Sequence, residues 1–369
     1  MGRSAGACCL GFLIVVVGPS CGETPRFGTM FEEVERMSWD SDYVDGRWEP
    51  DWDDAAFYGP AYYARVGWER GDETYRQRAR DGVRHNLDEI IGTAVAGGVS
   101  AVADNMTEVL YAVLGVLDYM EVSGDLSGLD RIDESLDLAD LIVSRLCADY
   151  CQGFPSYAMD TYGPTVVTGM IAIVYLQYAV LIDAPREAER VARAGEILAR
   201  IEERAWNGSY YLFTPDRPDY LDLYPNVVMM IALARYHQAT GDAGALERAE
   251  GLFEAIRPLR CTDRPGYKSL YSAEAMGART DDYTTLSAMN YTMFALALLA
   301  EESGDPRYRD EIDWLEGFVE DYLYVEADGK VYHHWMDGRL ALPTDLEYFC
   351  IGCNLQFLYV DWWVRHHLD

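Results

Sequence analysis

The sequence predicts an all-α protein, an (α/α)6 toroid of six helical hairpins, and three observations lead there. Gly-Asp pairs close long apolar segments at Gly71-Asp72, Gly124-Asp125, Gly241-Asp242 and Gly304-Asp305. The middle interval is about twice the others and Asp183-Ala184-Pro185 fills its empty slot, so a unit of roughly 58 residues repeats along the chain. The segments before these turns are apolar nearly all round, as in VVMMIALARYHQA (227–239) and MNYTMFALALLAEE (289–302), whereas those after them carry charge on one face. A helix apolar on every side is buried on every side, and a charged face meets water, so the pattern describes an inner ring and an outer ring.

Taken in order, FEEVERMSW (31–39) is an outer helix. Inner helices are expected near 58–70, 102–122, 163–182, 225–240, 284–302 and 346–367. Outer helices follow the turns, as in ETYRQRARDGVRHNLDEII (73–91) and REAERVARAGEILARIEERAW (186–206). At each turn glycine suits the left-handed position that ends the first helix, and aspartate caps the second. Strand patterning is confined to short pieces such as KVYHHW (330–335). The turns from inner to outer helix are tight. The returns from outer to inner are long, at 40–57, 149–162, 207–224, 260–283 and 325–345, and gather at one mouth of the ring, where a rigid scaffold carries its function.

Acids and aromatics recur at that mouth. Hairpin one has EPDWDDAAFYGP (49–60), hairpin three Asp160-Thr161-Tyr162-Gly163-Pro164, and hairpin four Asp219-Tyr220-Leu221-Asp222-Leu223-Tyr224-Pro225-Asn226. Hairpins five and six have Asp281-Asp282-Tyr283 and Asp345-Leu346-Glu347-Tyr348, and hairpin two has Asp104-Asn105. The prolines suit the first helical position, where the backbone donor would be unpaired anyway. One acid per helix is explained by capping and by the helix dipole. Adjacent aspartates exceed that need: at most one of each pair caps, and the other is left to face the opening. The chain also has 27 tyrosines against 11 phenylalanines, and a purely apolar core has little use for so many rings with polar tips. Sugars present an apolar face that stacks on rings and hydroxyls that carboxylates bind, so acids with aromatics at a cavity mouth suit a saccharide. Trp48, Trp52, Tyr58, Asp104, Asn105, Tyr162, Asp222, Tyr224, Tyr283, Trp335, Glu347 and Tyr348 are the expected binding residues. Core packing of the rings is the structural alternative.

The N-terminus reads as an export signal. Arg3 precedes the apolar run AGACCLGFLIVVV (5–17), which is followed by Gly18-Pro19-Ser20-Cys21. Cys21 after small residues resembles a lipobox cysteine, which would carry a lipid and make this the only membrane attachment. Residues 1–21 are thus expected to be a signal segment whose cysteine, when lipidated, becomes the mature N-terminus, with 22–369 as one barrel domain in the cell envelope, the periplasm or outside the cell. The 62 acidic residues against 30 basic ones, a net charge of −32, argue against nucleic acid, because no basic surface displaces counterions from phosphates. In an exported chain the close pairs Cys147/Cys151 and Cys350/Cys353 are disulfide candidates. CIGC (350–353) has no partner CxxC, so no metal and no other cofactor is expected.

With its repeat, its Gly-Asp turns and its acid-aromatic loops, the chain resembles the six-hairpin glycosidase-like superfamily over residues 27–368. Its adjacent aspartates are similar to the catalytic Asp-Asp pair of the family 76 glycoside hydrolases, endo-alpha-1,6-mannanases. That resemblance implies catalytic roles for Asp53-Asp54 and Asp281-Asp282. Glycoside hydrolysis needs two carboxylates flanking the scissile bond. Asp54 with Asp282 is the first pairing, and Asp53 and Asp281 are the second choice. His333 and His334 are alternatives for acid-base work, or surface and packing residues. DWDD (51–54) also matches the DxDD motif of class II terpene cyclases, which export and the lack of a second barrel make a coincidence. Three readings remain open: a glycoside hydrolase acting on an oligo- or polysaccharide, a polysaccharide lyase or sugar epimerase on the same fold, and a non-catalytic glycan-binding lipoprotein.

Overall fold

The computed structural model describes residues 28–40, 43–44, 47–48, 53–149, 157–182, 184–213, 221–269, 283–327, 329–336, 338–340 and 350–368. Six inner helices form a closed ring: α2 (Asp53–Arg70), α5 (Met106–Ser123), α7 (Tyr157–Ala179), α9 (Leu223–Thr240), α11 (Leu286–Ser303) and α13 (Ile351–His367). Each packs on the next, and α13 packs back on α2. Outside them lie α1 (Gly28–Asp40) on α13, α3 (Glu73–His85) on α2, α8 (Ala184–Ala205) on α7, α10 (Ala243–Ile256) on α9 and α12 (Pro306–Phe318) on α11. The remaining outer helices, α4 (Gly92–Asp104) and α6 (Leu129–Asp149), pack on each other. This is the (α/α)6 toroid that the repeat predicts. Among the described residues no helix is long and apolar enough to cross a membrane.

Burial follows the two compositions. Every residue of α9 from Val227 to Ala234 is buried, whereas among its described side chains α8 buries only Ala194, Ile197, Leu198, Ile201 and Ala205, the single stripe of an amphipathic surface helix. The tight turns are built as their sequence implies at three hairpins. Gly71, Gly241 and Gly304 have φ of 66°, 71° and 67°, left-handed values that glycine adopts without steric cost. Asp72, Asp242 and Asp305 cap the following helix, accepting the backbone N–H of Thr74, Gly244 and Arg307 at 2.8, 2.9 and 2.9 Å. Hairpin two keeps the left-handed glycine, Gly124 at φ 71°, and departs at the aspartate. Asp125 accepts the Ser127 N–H at 3.0 Å, which closes a local turn, and α6 begins only at Leu129, after the left-handed Gly128.

The inner helices also begin earlier than the prolines suggest. Pro60 and Pro164 do not open α2 and α7 but stand inside them. A proline within a helix donates no hydrogen bond to the carbonyl four residues back, which for Pro60 is that of Ala56. Asn86 supplies the missing donor: its buried Nδ2 lies 2.6 Å from Ala56 O and 3.4 Å from Ala112 O. Asn86 opens a π-helical segment, Asn86–Ile91, that joins α3 to α4. On the neighbouring helix Gly115 leaves room for the same backbone, since a Cβ there would stand 2.5 Å from Ala56 O. The second outer helix runs on to Asp104, and α5 starts at Met106, so hairpin two has no long return.

Short strands occupy the long returns. β1 (Tyr43–Val44) pairs with β2 (Arg47–Trp48), and β4 (Tyr324–Val325) with β5 (Lys330–Val331). β3 (Tyr283–Thr285) pairs antiparallel with β6 (His334–Met336), which also pairs with β7 (Arg339–Leu340). At the opposite end of the ring three inner helices share one buried ion pair. Arg65 Nε on α2 donates to Asp118 Oδ2 on α5 at 2.9 Å, and Tyr359 Oη on α13 donates to Asp118 Oδ1 at 3.0 Å.

The Asn86 amide is expected to be worth more than its one side chain suggests. Replacing it with alanine strands the Ala56 carbonyl and should cost about 1–3 kcal/mol. Asp242→Ala, which removes an exposed cap, should cost only about 1 kcal/mol. Urea unfolding of the two variants checks the order, and equal losses would contradict it.

Candidate active site

Asp54 stands in the first turn of α2, half-buried, at the end of the ring where the long returns gather. Its place is marked by what it acts on. Tyr58 on α2, Tyr224 on α9 and Tyr291 on α11 all have phenol pKa values raised, first by burial, with the Asp54 charge next for Tyr58 and Tyr224 and further down the order for Tyr291. Asp54 thus lies within electrostatic reach of phenols from three inner helices.

Below Asp54 the centre is filled by a hydrogen-bonded floor. Tyr58 lies one turn further along α2, and its Oη accepts from Gln356 Nε2 on α13 at 2.9 Å. Asn290 Nδ2 on α11 donates to Gln356 Oε1 at 3.3 Å and to the Cys353 carbonyl at 2.9 Å. Tyr111 on α5 and Tyr291 share a hydrogen bond through their hydroxyls, as do Tyr224 and Ser287. Tyr58, Tyr111 and Tyr291 are buried, and Tyr224 is half-buried.

The wall beside Asp54 is the start of α13. Cys350 is its N-cap and is disulfide-bonded to Cys353. Cys353 Sγ lies 3.4 Å from Asp54 Oδ2. Gly352 permits this approach, because a Cβ there would stand 2.6 Å from Asp54 Cβ and 2.7 Å from Ala55 N. Among the described residues Asp54, Cys350 and Cys353 form a group whose potential ligand atoms all lie within 4.8 Å of one another.

The segment from β5 to β6, which links two of the small sheets, completes the described part of the site. Asn354 on α13 holds it: Oδ1 accepts the Val331 N–H at 3.2 Å, and Nδ2 donates to Val331 O at 2.9 Å. The Leu286 N–H at the start of α11 donates to His333 O at 2.8 Å. His333 Nδ1 and His334 Nε2 are 2.6 Å apart, so one donates to the other, and the Tyr283 ring lies 5.4 Å from that of His334. Burial pushes His333 down to about 4. Burial, and then the charge of His333, push His334 down to about 2. Both imidazoles are neutral at pH 7.

The expected site residues divide by position. Asp54, Tyr58 and Tyr224 come together, and Tyr283 lies near enough for its charge to act on Tyr224. Asp222 is buried and caps α9, accepting the Tyr224 N–H at 3.1 Å. Asp104 and Asn105 are exposed where α4 meets α5, and Asn105 Nδ2 donates to Ala101 O at 3.0 Å. Trp335 on β6 is half-buried, its ring edge-on to Tyr322 at 5.0 Å. Asp53 begins α2, Trp48 lies in β2 and Tyr162 in α7, each described in its backbone alone. Trp52, Asp281, Asp282, Glu347 and Tyr348 lie outside the described residues, as do Cys151 and the N-terminal segment with Cys21. Sequence reasoning passed over Tyr111, Ser287, Asn290, Tyr291 and Gln356. Their signal was present: polar side chains in helices otherwise apolar on every side.

No family model matches the chain, and no curated protein is similar to it in sequence. Solved structures are similar in fold. A D-mannose isomerase matches with a TM-score of 0.69 and 13% identity, over 92% of this chain and 96% of its own. The cellobiose 2-epimerase of Spirochaeta thermophila DSM 6192 matches at 0.63 and 13%, over 94% and 100%. The GH76A alpha-1,6-mannanase of Salegentibacter sp. HEL1_6 matches at 0.55 and 13%, over 90% and 97%. The chain shares the (α/α)6 toroid fold with all three.

The histidine pair makes stability depend on pH with a definite sign. Both folded-state pKa values lie below 6.5, so on acidification the unfolded chain binds protons first. The stability of the neutral pair is complete above pH 6.5 and is lost as pH falls, towards about 4 for His333 and about 2 for His334. The urea midpoint should therefore drop across that window, and less steeply in a His333→Asn/His334→Asn double variant. An unchanged slope would contradict the assignment.

Proposed function

We propose that the protein is an exported carbohydrate-active enzyme, a glycoside hydrolase acting at the loop-rich mouth of the toroid. One observation carries this reading: a half-buried carboxylate, Asp54, at the mouth end of an inner helix, packed against the start of the last inner helix and within electrostatic reach of phenols from three inner helices. Asp54 is assigned as one of the two carboxylates that hydrolysis requires, with Asp282 as the other and Asp53 and Asp281 as second choices. The low-dielectric floor and the aromatic residues of the returns would seat a sugar ring against it. Names of the structural neighbours, an isomerase, an epimerase and a mannanase, are consistent with a saccharide substrate. The Cys350–Cys353 disulfide is consistent with export, since such bonds persist in oxidising compartments. The basic-apolar start of the chain is assigned as the export signal and Cys21 as the site of a lipid anchor.

A second reading, a sugar epimerase or isomerase, is favoured by the neutral His333–His334 pair beside Tyr283. An imidazole takes a proton from carbon next to a carbonyl best when its pKa lies near the working pH, so this reading requires bound substrate to raise His333 from about 4.

Incubating the protein with a panel of oligosaccharides separates the two. Hydrolysis creates new reducing ends, while epimerisation leaves mass and chain length unchanged. On the first reading Asp54→Asn should lower the release of reducing ends by roughly a hundredfold or more with the fold retained. Full activity in Asp54→Asn would reject the assignment, and isomeric products without new reducing ends would move the function to the second reading.

A further inference from the structure

We propose that reduction of the Cys350–Cys353 disulfide turns the wall of the candidate site into a three-ligand centre for a thiophilic divalent cation, zinc being the commonest of that class, held by both thiolates and the Asp54 carboxylate. The proposal stands on placement. Two sulfurs from the first turn of α13 and one carboxylate from the first turn of α2 already lie within 4.8 Å of one another, the span of a single ion's ligand shell. Cys350 and Cys353 are buried and Asp54 is half-buried, so the sulfurs are withdrawn from solvent while the carboxylate remains open to it. Gly352, between the two cysteines, brings the helices together, because any larger residue would collide with Asp54 and Ala55.

The chemistry balances with a dithiol as reductant. Its two sulfurs join in a disulfide, and two electrons and two protons pass to Cys350 and Cys353, whose S–S bond breaks. Binding the divalent cation then releases two thiol protons. Three protein ligands leave one tetrahedral position for water or another small donor, the arrangement of an open rather than a closed zinc site. The oxidised form lacks thiolates and binds no such ion. A bound ion would occupy Asp54, so the same residue is available for chemistry on a substrate only in the disulfide form. This last consequence rests on the proposed function, whereas the metal site does not.

The test uses the full chain, a water-soluble phosphine as reductant and cobalt(II) as a spectroscopic probe. Phosphine and water convert the disulfide to two thiols and a phosphine oxide without adding a competing thiol. Reduced wild-type protein should show thiolate-to-cobalt charge transfer and the strong visible bands of a tetrahedral ion, displaced by stoichiometric zinc. Oxidised protein should show neither. Asp54→Asn and Gly352→Ala should weaken cobalt binding by at least the tenfold that loss of even an outer-shell partner costs. A Cys350→Ser/Cys353→Ser double variant, which keeps every other cysteine, should lose the charge-transfer band. The proposal is overturned by a reduced wild type without that band, by a band that survives the double substitution, or by Asp54→Asn binding cobalt as tightly as wild type. Because these readouts report binding alone, their failure would leave the catalytic assignment of Asp54 to be judged separately.

Discussion

Where the first and last inner helices meet, the ring closes on a glycine. Gly352 brings the start of α13 within van der Waals reach of Asp54 and Ala55 on α2, an approach that any Cβ would block. The floor and wall of the site follow from that contact. It sets Cys353 against Asp54, and one turn further it lets Gln356 reach Tyr58, a hydrogen bond between residues 298 apart in sequence. At the far end Arg65, Asp118 and Tyr359 tie the same two helices to α5. The closing contact thus joins residues nearly 300 apart in sequence, so the site depends on the whole ring being assembled.

The abundance of tyrosine finds its reason in this geometry. Six helices converging on one axis leave a space too polar at its rim to be filled with leucine and too enclosed to be left to water. Tyrosine fills it with a ring and ends in a hydroxyl that the next helix can satisfy, as between Tyr111 and Tyr291 or Tyr224 and Ser287. The rings therefore serve both as core and as the base of the site. That double role is why packing stood as the alternative to saccharide binding when composition alone was read.

How much of this could be read in advance depended on how local the cause was. The Gly-Asp turns at 71, 241 and 304 carry their whole explanation within a few residues, and the repeat they mark led to the ring. Hairpin two diverged because Asp125 closes its own small turn before α6 begins. Pro60 was read as a helix start because the compensations for a proline inside a helix, Asn86 and Gly115, are 26 and more residues away and have no signature of their own. Asp54 was legible as one member of an excess pair, yet its neighbours Cys350 and Cys353, some 300 residues on, were visible only as a CxxC. His333 and His334 stood in KVYHHW, a short strand piece in a return, which gave no hint of how far the segment from β5 to β6 is drawn in by Asn354.

Asp54 thus has a definite setting: above a tyrosine floor, beside a sulfur pair, at the end of the ring served by the long returns. Whether that setting receives a sugar is tested most directly by diffraction from crystals of the Asp54→Asn protein grown with oligosaccharide. A sugar ring within hydrogen-bonding distance of the residue 54 side chain and in contact with Tyr224 is the result expected here. Saccharide bound only on the outer helices, with the centre of the ring empty of it, would contradict the account.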